Sequence, residues 1–218
     1  GIDEETELPF MVMEYLEGHD LSHWVRTGRR FSVSDAIHYT VEAGEALHQA
    51  HKSGIIHRDV KPANLFLTEG EGKKPVVKIL DFGISKLLDE QPDEMGLTKT
   101  TAVLGSGLYM SPEQMRSAKN VDQRTDIYAL GVCIFELLTG TQPFVAETFS
   151  ELCVKVNVED PTPMKQYRPD VSDELASVIE RAYARDVEDR YQSIVEMMSA
   201  LAPFASEDSV ALISEICG

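Results

Sequence analysis

The sequence predicts an α+β domain that is mainly helical and carries only a few short strands. Apolar residues recur at helical spacing in several segments, while two short apolar runs flank a turn-rich stretch, as expected of a β-hairpin. The chain has 218 residues, of which 43% are hydrophobic, enough to bury a sizeable core. That composition excludes intrinsic disorder as the main state, because disordered chains contain few apolar and aromatic residues.

The first elements are short. An apolar run with β-type residues predicts a strand over residues 9–15. Helical spacing of apolar residues predicts a short helix between residues 21 and 28. A long helix follows over residues 35–51, with small or apolar residues along one face and Ser34 as its expected N-cap.

The middle of the chain changes character. Residues 65–67 and 76–80 are predicted to be short strands joined through the turn-rich residues 68–75, hence a hairpin. Residues 88–107 show no periodicity and many Gly, Thr, Asp and Lys, which indicates a long surface loop. Loops of that length within a compact domain are usually functional or disordered.

The last third is helical. The most apolar segment, residues 126–139, predicts a buried central helix that ends at Gly140, a typical C-cap. Further helices are expected over residues 147–158, 172–184, 193–201 and 206–217.

Charge and cysteine content restrict the environment and partners. Lys and Arg number 20 and Asp and Glu 37, giving a net charge of −17, which argues against a nucleic-acid partner. No apolar run reaches the ~18 residues of a membrane span, and no signal peptide opens the chain. The three cysteines are far apart, which fits a reducing compartment. We therefore expect a cytoplasmic domain, and a membrane anchor in a longer parent protein is left open.

The chemistry-bearing residues are concentrated in residues 57–64 and at the end of the second hairpin strand. Asp59 is a loop carboxylate that can accept a hydroxyl proton, and Lys61 supplies a cation two residues later. In an extended loop both side chains point to the same side, where the cation can neutralise a transferring phosphoryl group. Asn64 and Asp81 carry oxygen atoms of the kind that Mg²⁺ prefers, and a hairpin between them can bring both to one ion.

These letters form recognisable motifs. Residues 57–64 read His-Arg-Asp-Val-Lys-Pro-Ala-Asn, and residues 81–83 read Asp-Phe-Gly. The pair resembles the catalytic and metal-binding loops of the eukaryotic-like (Hanks-type) Ser/Thr protein kinases, and the surrounding sequence is most similar to bacterial members. Ser-Pro-Glu at residues 111–113 resembles the Ala-Pro-Glu that closes the activation segment, and residues 126–131 resemble the start of the central helix. The resemblance covers residues 9–202.

The resemblance implies the large, C-terminal lobe of a kinase, mainly helical with short β-hairpins at the cleft, with the small lobe almost entirely absent. It implies ATP and Mg²⁺ as cofactors and protein substrates that present Ser or Thr, with no nucleic acid. Asp59, Lys61 and Asn64 are then the catalytic residues, and Asn64 and Asp81 the metal ligands.

The resemblance also assigns the nucleotide contacts. Met13 is placed as the gatekeeper of a hinge between lobes, and the backbone of Glu14 and Leu16 is expected to bind the adenine edge. Asp20 falls where an acidic residue contacts the ribose, and Phe66 is expected to form the floor of the adenine pocket.

Regulatory positions follow from the same resemblance. Thr98 and Thr100 are favoured as phosphorylation sites of the activation loop, because of their distance from Ser106 in the substrate-receiving loop. Arg58 is either a solvated cation or the partner of that phosphorylated loop.

A few residues are given structural roles. The resemblance pairs Arg190 with Glu113, and it makes Asp126 a brace for the catalytic-loop backbone. The alternative is that Asp126 only caps its helix. His57 is interpreted as holding the loop, and His51 as packing at a helix end.

The family's small lobe should precede residue 9, and the sequence holds no displaced copy of its Gly-rich loop, strand lysine or helix glutamate. We interpret residues 1–8 as an acidic tail, 9–202 as a kinase domain made of hinge and C-terminal lobe, and 203–218 as a C-terminal tail. Since the chain starts at Gly1, it is interpreted as a fragment of an active kinase. Because half of the ATP clamp is missing, the fragment is expected to have little activity of its own. The alternative is a catalytically inactive, kinase-like module that binds proteins.

Overall fold

The computed structural model describes residues 12–69, 75–81, 105–117 and 121–218. Within these ranges a largely helical body carries one small antiparallel sheet, so the predicted α+β fold class is confirmed. The elements are β1 (Gly18–Asp20), α1 (Leu21–Arg26), α2 (Val33–Lys52), β2 (Leu65–Glu69), β3 (Pro75–Ile79), α3 (Pro112–Arg116), α4 (Arg124–Thr139), α5 (Phe149–Val158), α6 (Asp173–Ala182), α7 (Ile194–Leu201) and α8 (Glu207–Cys217).

The sheet has the strand order β1-β2-β3, and both pairings are antiparallel. The predicted hairpin is confirmed, with Leu65 opposite Ile79 and Glu69 opposite Pro75. The strand predicted over residues 9–15 is wrong for residues 12–15, which are irregular, while residues 9–11 lie outside the described ranges. A strand needs a neighbouring backbone to pair with, and within the described ranges no strand pairs with residues 12–15.

Gly18 is required by the close approach of β1 to β2. Its φ is +140°, and a Cβ there would lie 2.2 Å from the carbonyl oxygen of Leu67. We expect Gly18→Ala to lower the free energy of unfolding by about 2 kcal/mol, because both the backbone angle and the contact become unfavourable. Gly28→Ala is the matched control: its φ is also positive, at +84°, but its Cβ would meet nothing within 4 Å. Urea unfolding should show the smaller loss at Gly28, and equal losses would contradict the steric argument.

Helix α4 is the centre of the core. All its residues except Arg124 are buried, as the nearly continuous apolar sequence predicts. It ends at Gly140, which adopts the left-handed conformation expected of a glycine C-cap. Burial of each large apolar side chain here contributes about 1.5–3 kcal/mol to the free energy of unfolding, so α4 is a rigid element against which the loops can be fixed.

Helix α2 packs against α4 and β3. The predicted helix is confirmed, but the expectation that Ser34 caps it is wrong. The N-cap is Ser32, whose Oγ accepts a hydrogen bond from the backbone N–H of Asp35 at 3.0 Å. Both serines precede the apolar face, and only the one with extended backbone geometry can reach the third N–H of the helix.

The remaining predicted helices are present as α5 to α8, with slightly different ends. The segment 203–218, predicted as a C-terminal tail that contains a helix, packs on the body, since its helix over residues 207–217 contacts α2 and α7. Its Ile213 and Ile216 are buried. Among the helices that the structure describes, none combines the length and hydropathy needed to cross a bilayer.

Candidate active site

Asp126 of α4 holds the start of the loop at residues 57–64 by hydrogen bonds. Its carboxylate is fully buried and accepts the backbone N–H groups of His57 at 2.9 Å and Arg58 at 2.8 Å. The ring Nε2 of His51, at the end of α2, lies 2.8 Å from the same carboxylate. Asp126 lies inside α4, after the N-cap position Gln123, and its carboxylate accepts from the loop and not from the first turn of its own helix.

Arg58 has a strained backbone. Its φ is +65°, in the left-handed region that non-glycine residues adopt at about 1–3 kcal/mol of strain. Two contacts hold it there: the N–H donates to Asp126, and the carbonyl accepts a hydrogen bond from Nε2 of Gln114 at 3.0 Å. The loop is therefore fixed from α4 on one side and from α3 on the other.

His57 joins the loop to the end of β3. Its buried ring accepts the Asp59 N–H at Nδ1, at 3.2 Å, so the proton is on Nε2, which donates to the carbonyl of Leu80 at 3.0 Å. The Leu80 N–H in turn donates to the carbonyl of Asn64 at 2.8 Å. Both the carbonyl and the N–H of Leu80 are therefore hydrogen-bonded to the loop at residues 57–64, and Asp81 is the next residue in the chain. Asp81 is exposed and has a φ of +52°, while Phe82 and Gly83 lie outside the described ranges.

Asp59, Lys61 and Asn64 are in direct contact. The ammonium of Lys61 lies 2.8 Å from Oδ2 of Asp59, and Nδ2 of Asn64 donates to the carbonyl of Asp59 at 2.8 Å and to Oδ2 at 3.2 Å. Because the amide nitrogen of Asn64 faces Asp59, its side-chain oxygen is the atom suited to a cation. Lys61 also donates to Oγ of Ser106 at 3.1 Å, which connects the segment at Ser106 to the carboxylate of Asp59.

The donor set fits Mg²⁺. In the described ranges no three His, Cys, Asp or Glu residues form a group that could hold a metal, so a fully protein-ligated ion such as structural zinc has no site there. Mg²⁺ differs in taking only one or two protein oxygens and completing its shell with water and phosphate. An amide oxygen of Asn64 and a carboxylate of Asp81 meet that requirement.

Of the residues predicted to contact the nucleotide, the structure places Asp20 and Phe66 next to each other. Asp20 and Phe66 are directly opposite each other on β1 and β2. One oxygen of Asp20 caps α1 by accepting the His23 N–H at 2.7 Å. Met13 is 64% exposed, and the side chain of Glu14 forms an exposed ion pair with Lys78 at 2.8 Å. Thr98 and Thr100 lie outside the described ranges.

Glu113 and Arg190 form a bidentate ion pair, with N–O distances of 2.7 and 2.8 Å. The Arg190 side chain is fully buried, donates to the carbonyl of Ala184 at 2.7 Å and lies 4.9 Å above the ring of Tyr128. Burial raises the pKa of Glu113, but hydrogen bonds and the positive charge of Arg190 outweigh it, so that pKa lies below its ordinary value. The pair anchors the start of α3 to the body.

Glu136 of α4, which carries no motif in the sequence, contacts Tyr109 three residues after Ser106. The Tyr109 hydroxyl donates to Oε2 of Glu136 at 2.5 Å and accepts from Gln142 at 3.3 Å. Burial raises the pKa of Glu136, and the hydrogen bond from Tyr109 partly opposes that rise. Tyr109 also has a pKa well above its usual value, from burial and from the nearby carboxylate, so it is present as the neutral donor.

Tyr109→Phe is expected to lower the free energy of unfolding by about 1–3 kcal/mol at pH 8, because a buried carboxylate loses its donor. The pKa of Glu136 is already raised in the folded state, so the stability that this group contributes is complete below the unfolded pKa and is lost as pH rises through the folded pKa. Removing the phenol raises that pKa further. The loss should therefore be smaller at pH 4 than at pH 8 in urea unfolding, and a loss independent of pH would contradict it.

The model of the protein kinase domain family matches residues 2–202. The chain belongs to this family, and the resemblance to eukaryotic-like kinases is confirmed.

The chain is similar to bacterial members. It is 39% identical over 194 residues to serine/threonine-protein kinase PknB of Mycolicibacterium smegmatis, covering 89% of the chain and 30% of that protein. It is 40% identical over 200 residues to serine/threonine-protein kinase Pkn1 of Myxococcus xanthus, covering 92% and 28%. The crystal structure of the Mycobacterium tuberculosis PknI kinase domain superposes with a TM-score of 0.61 at 26% identity, covering 94% of this chain and 64% of that one. The chain thus spans about 30% of the length of these curated relatives.

Proposed function

We propose that this chain supplies the catalytic large lobe of a serine/threonine protein kinase, which transfers the γ-phosphoryl group of ATP to a Ser or Thr hydroxyl of a protein substrate. Asp59 orients the accepting hydroxyl and takes its proton, and Lys61 balances charge on the phosphoryl group. Asn64 and Asp81 hold Mg²⁺, which neutralises phosphate charge when bound.

One observation carries the proposal: Leu80 is bound from both sides by the loop at residues 57–64. The carbonyl of Asn64 and the ring of His57 each contact its backbone, at 2.8 and 3.0 Å. The proposed base, phosphate cation and first metal ligand are therefore on the same rigid segment that fixes the position of Asp81. Such prior placement matters because phosphoryl transfer depends mainly on positioning and charge neutralisation.

The nucleotide sites support an ATP cleft along β1 and β2. Asp20 and Phe66 are neighbours across the strands, which suits a ribose and an adenine ring that lie side by side. With one oxygen of Asp20 committed to α1, the ribose contact falls to its other oxygen. Met13, Glu14 and Leu16 precede β1 and complete the proposed hinge.

We further propose that the 218 residues alone transfer little or no phosphate. A Gly-rich loop and a strand lysine normally hold the ATP phosphates from above, and this sequence contains neither in a suitable position. The base and metal ligands then act on a nucleotide that is clamped from one side only. Thr98, Thr100 and Ser106 are the residues through which phosphorylation and substrate contact would act.

The test compares the 218 residues with a chain extended at its N-terminus by a kinase small lobe. Transfer of labelled γ-phosphate to a Ser/Thr peptide should be near background for the first and clear for the second. In the extended chain Asp59→Asn should reduce the rate about 10²–10⁴-fold. Asp160→Asn, which changes an exposed carboxylate, should leave it within about twofold. Absence of transfer in the extended chain would favour a kinase-like module that only binds proteins.

A further inference from the structure

Helix α8 lies beyond the residues matched by the kinase family model, which end at 202. It packs against α2 and α7, and its first turn presents Ser209, which is fully buried, to α2. A buried hydroxyl is stable only with a partner. The partner of Ser209 therefore indicates what this extra helix does.

Ser209 is part of a line of polar contacts into α2. Its Oγ lies 3.0 Å from the hydroxyl of Ser206 and 3.0 Å from Nδ1 of His38. The other ring nitrogen of His38, Nε2, lies 3.5 Å from Oε1 of Glu42, one helical turn further along α2. A consistent assignment has the serine hydroxyl donating to Nδ1 and the Nε2 proton facing the carboxylate.

Glu42 connects this line to the sheet. Its Oε2 accepts the backbone N–H of Val77 at 2.8 Å. Val77 lies in the middle of β3, the edge strand of the described sheet, and its side chain is buried. An edge strand exposes N–H groups that have no strand to pair with, and the Glu42 carboxylate satisfies one of them. Asp81 follows four residues later.

We propose that Ser209 and His38 are positioning residues: by orienting Glu42 they fix β3, and so they set where Asp81 stands relative to the loop at residues 57–64. The proposal rests on the proposed function insofar as Asp81 is taken to be a metal ligand. On this proposal α8 helps to position the site, because its removal would free His38 and Glu42, and with them the hydrogen bond that holds β3.

The experiment follows backbone amide hydrogen exchange by NMR in the 218-residue chain without nucleotide. Glu42→Ala should accelerate exchange at Val77 at least about tenfold, because it removes the acceptor of the Val77 N–H. Ser209→Ala should accelerate it about five- to tenfold, because it removes the contact that orients His38 and, through His38, Glu42. Amides in the centre of α4 should change less than about twofold, which separates a local release from general destabilisation. The matched control is Ser214→Ala, on the same helix, whose hydroxyl bonds only within α8 to the carbonyl of Val210.

A double-mutant cycle tests whether the residues act in series. In the Glu42→Ala background, Ser209→Ala should add less than about twofold at Val77. Independent, multiplicative effects would overturn the proposal, as would unchanged exchange at Val77 while α8 stays protected. If Ser209→Ala melts α8, His38→Phe gives the same test, since it keeps ring volume and removes both nitrogens. No nucleotide is used, so failure here leaves the proposed transferase activity untouched, and failure of the transfer assay leaves this coupling untouched.

Discussion

Arg190→Met is expected to lower the free energy of unfolding by about 3–5 kcal/mol at pH 7, a large fraction of the 5–15 kcal/mol typical of a domain. Methionine fills most of the arginine volume, so the loss comes chiefly from electrostatics. The carboxylate of Glu113 keeps its charge without its partner, and the carbonyl of Ala184 loses a donor. Urea unfolding of the two proteins, followed by circular dichroism, measures the difference.

The matched control is Arg181→Met, which removes an exposed ion pair with Glu196 of the same 2.7 Å length. Exposed pairs contribute little, so we expect a loss below about 1 kcal/mol. The effect of Arg190 should also depend on pH. The folded-state pKa of Glu113 is lowered, so the pair stabilises the protein above the unfolded pKa, and this contribution is lost as pH falls through the folded value. The gap between wild type and Arg190→Met should therefore narrow below about pH 4. A loss under 1 kcal/mol at pH 7 would show that the ion pair is not structurally important.

The sequence was most informative where function fixes residues at short spacing. Residues 57–64 hold a carboxylate, a cation and an amide within one loop, and the structure brings Asp59, Lys61 and Asn64 into contact. The central helix was equally predictable, because a segment that is apolar on all sides has only a buried position open to it.

Long-range polar contacts could not be predicted in the same way. His51 was interpreted as helix-end packing, but it meets a carboxylate 75 residues away in the chain. Ser209 and Glu136 likewise look like ordinary helical residues until the helices pack. Hydrogen bonds of this kind depend on tertiary placement, which leaves no periodic or local signal in a single sequence.

Strand boundaries failed for a related reason. The apolar run at residues 9–15 has strand-like composition, but β1 begins only at Gly18. Residues 12–15, the described part of that run, are not in the strand. A strand forms only where the chain meets a partner strand, and here the partner is β2. The Thr68 hydroxyl donates to the carbonyl of Glu17 at 2.8 Å, just before β1 begins. Backbone pairing, and not side-chain propensity, decides where the chain becomes extended.

Asp126→Ala is expected to lower the free energy of unfolding by about 4 kcal/mol and to release the loop at residues 57–64. The buried carboxylate serves three donors, and each donor left without an acceptor costs about 1–3 kcal/mol. Part of that loss is recovered because Arg58 can relax from its left-handed backbone conformation once its N–H is no longer held. That relaxation would turn the peptide that leads into Asp59, the proposed base, and so would move its carboxylate.

Two measurements separate this bracing role from a general contribution to stability. Hydrogen exchange at the amides of His57 and Arg58 should accelerate far more than at the centre of α4, because only the loop loses its direct acceptor. Asp122→Ala provides the control near the start of the same helix, since its carboxylate is half exposed and bonds mainly to Arg124. We expect that variant to lose less than about 1 kcal/mol and to leave both loop amides protected. If Asp126→Ala destabilises the protein while the two loop amides stay as protected as α4, then the loop is held by Gln114 and Leu80 alone, and the position of Asp59 does not depend on the central helix.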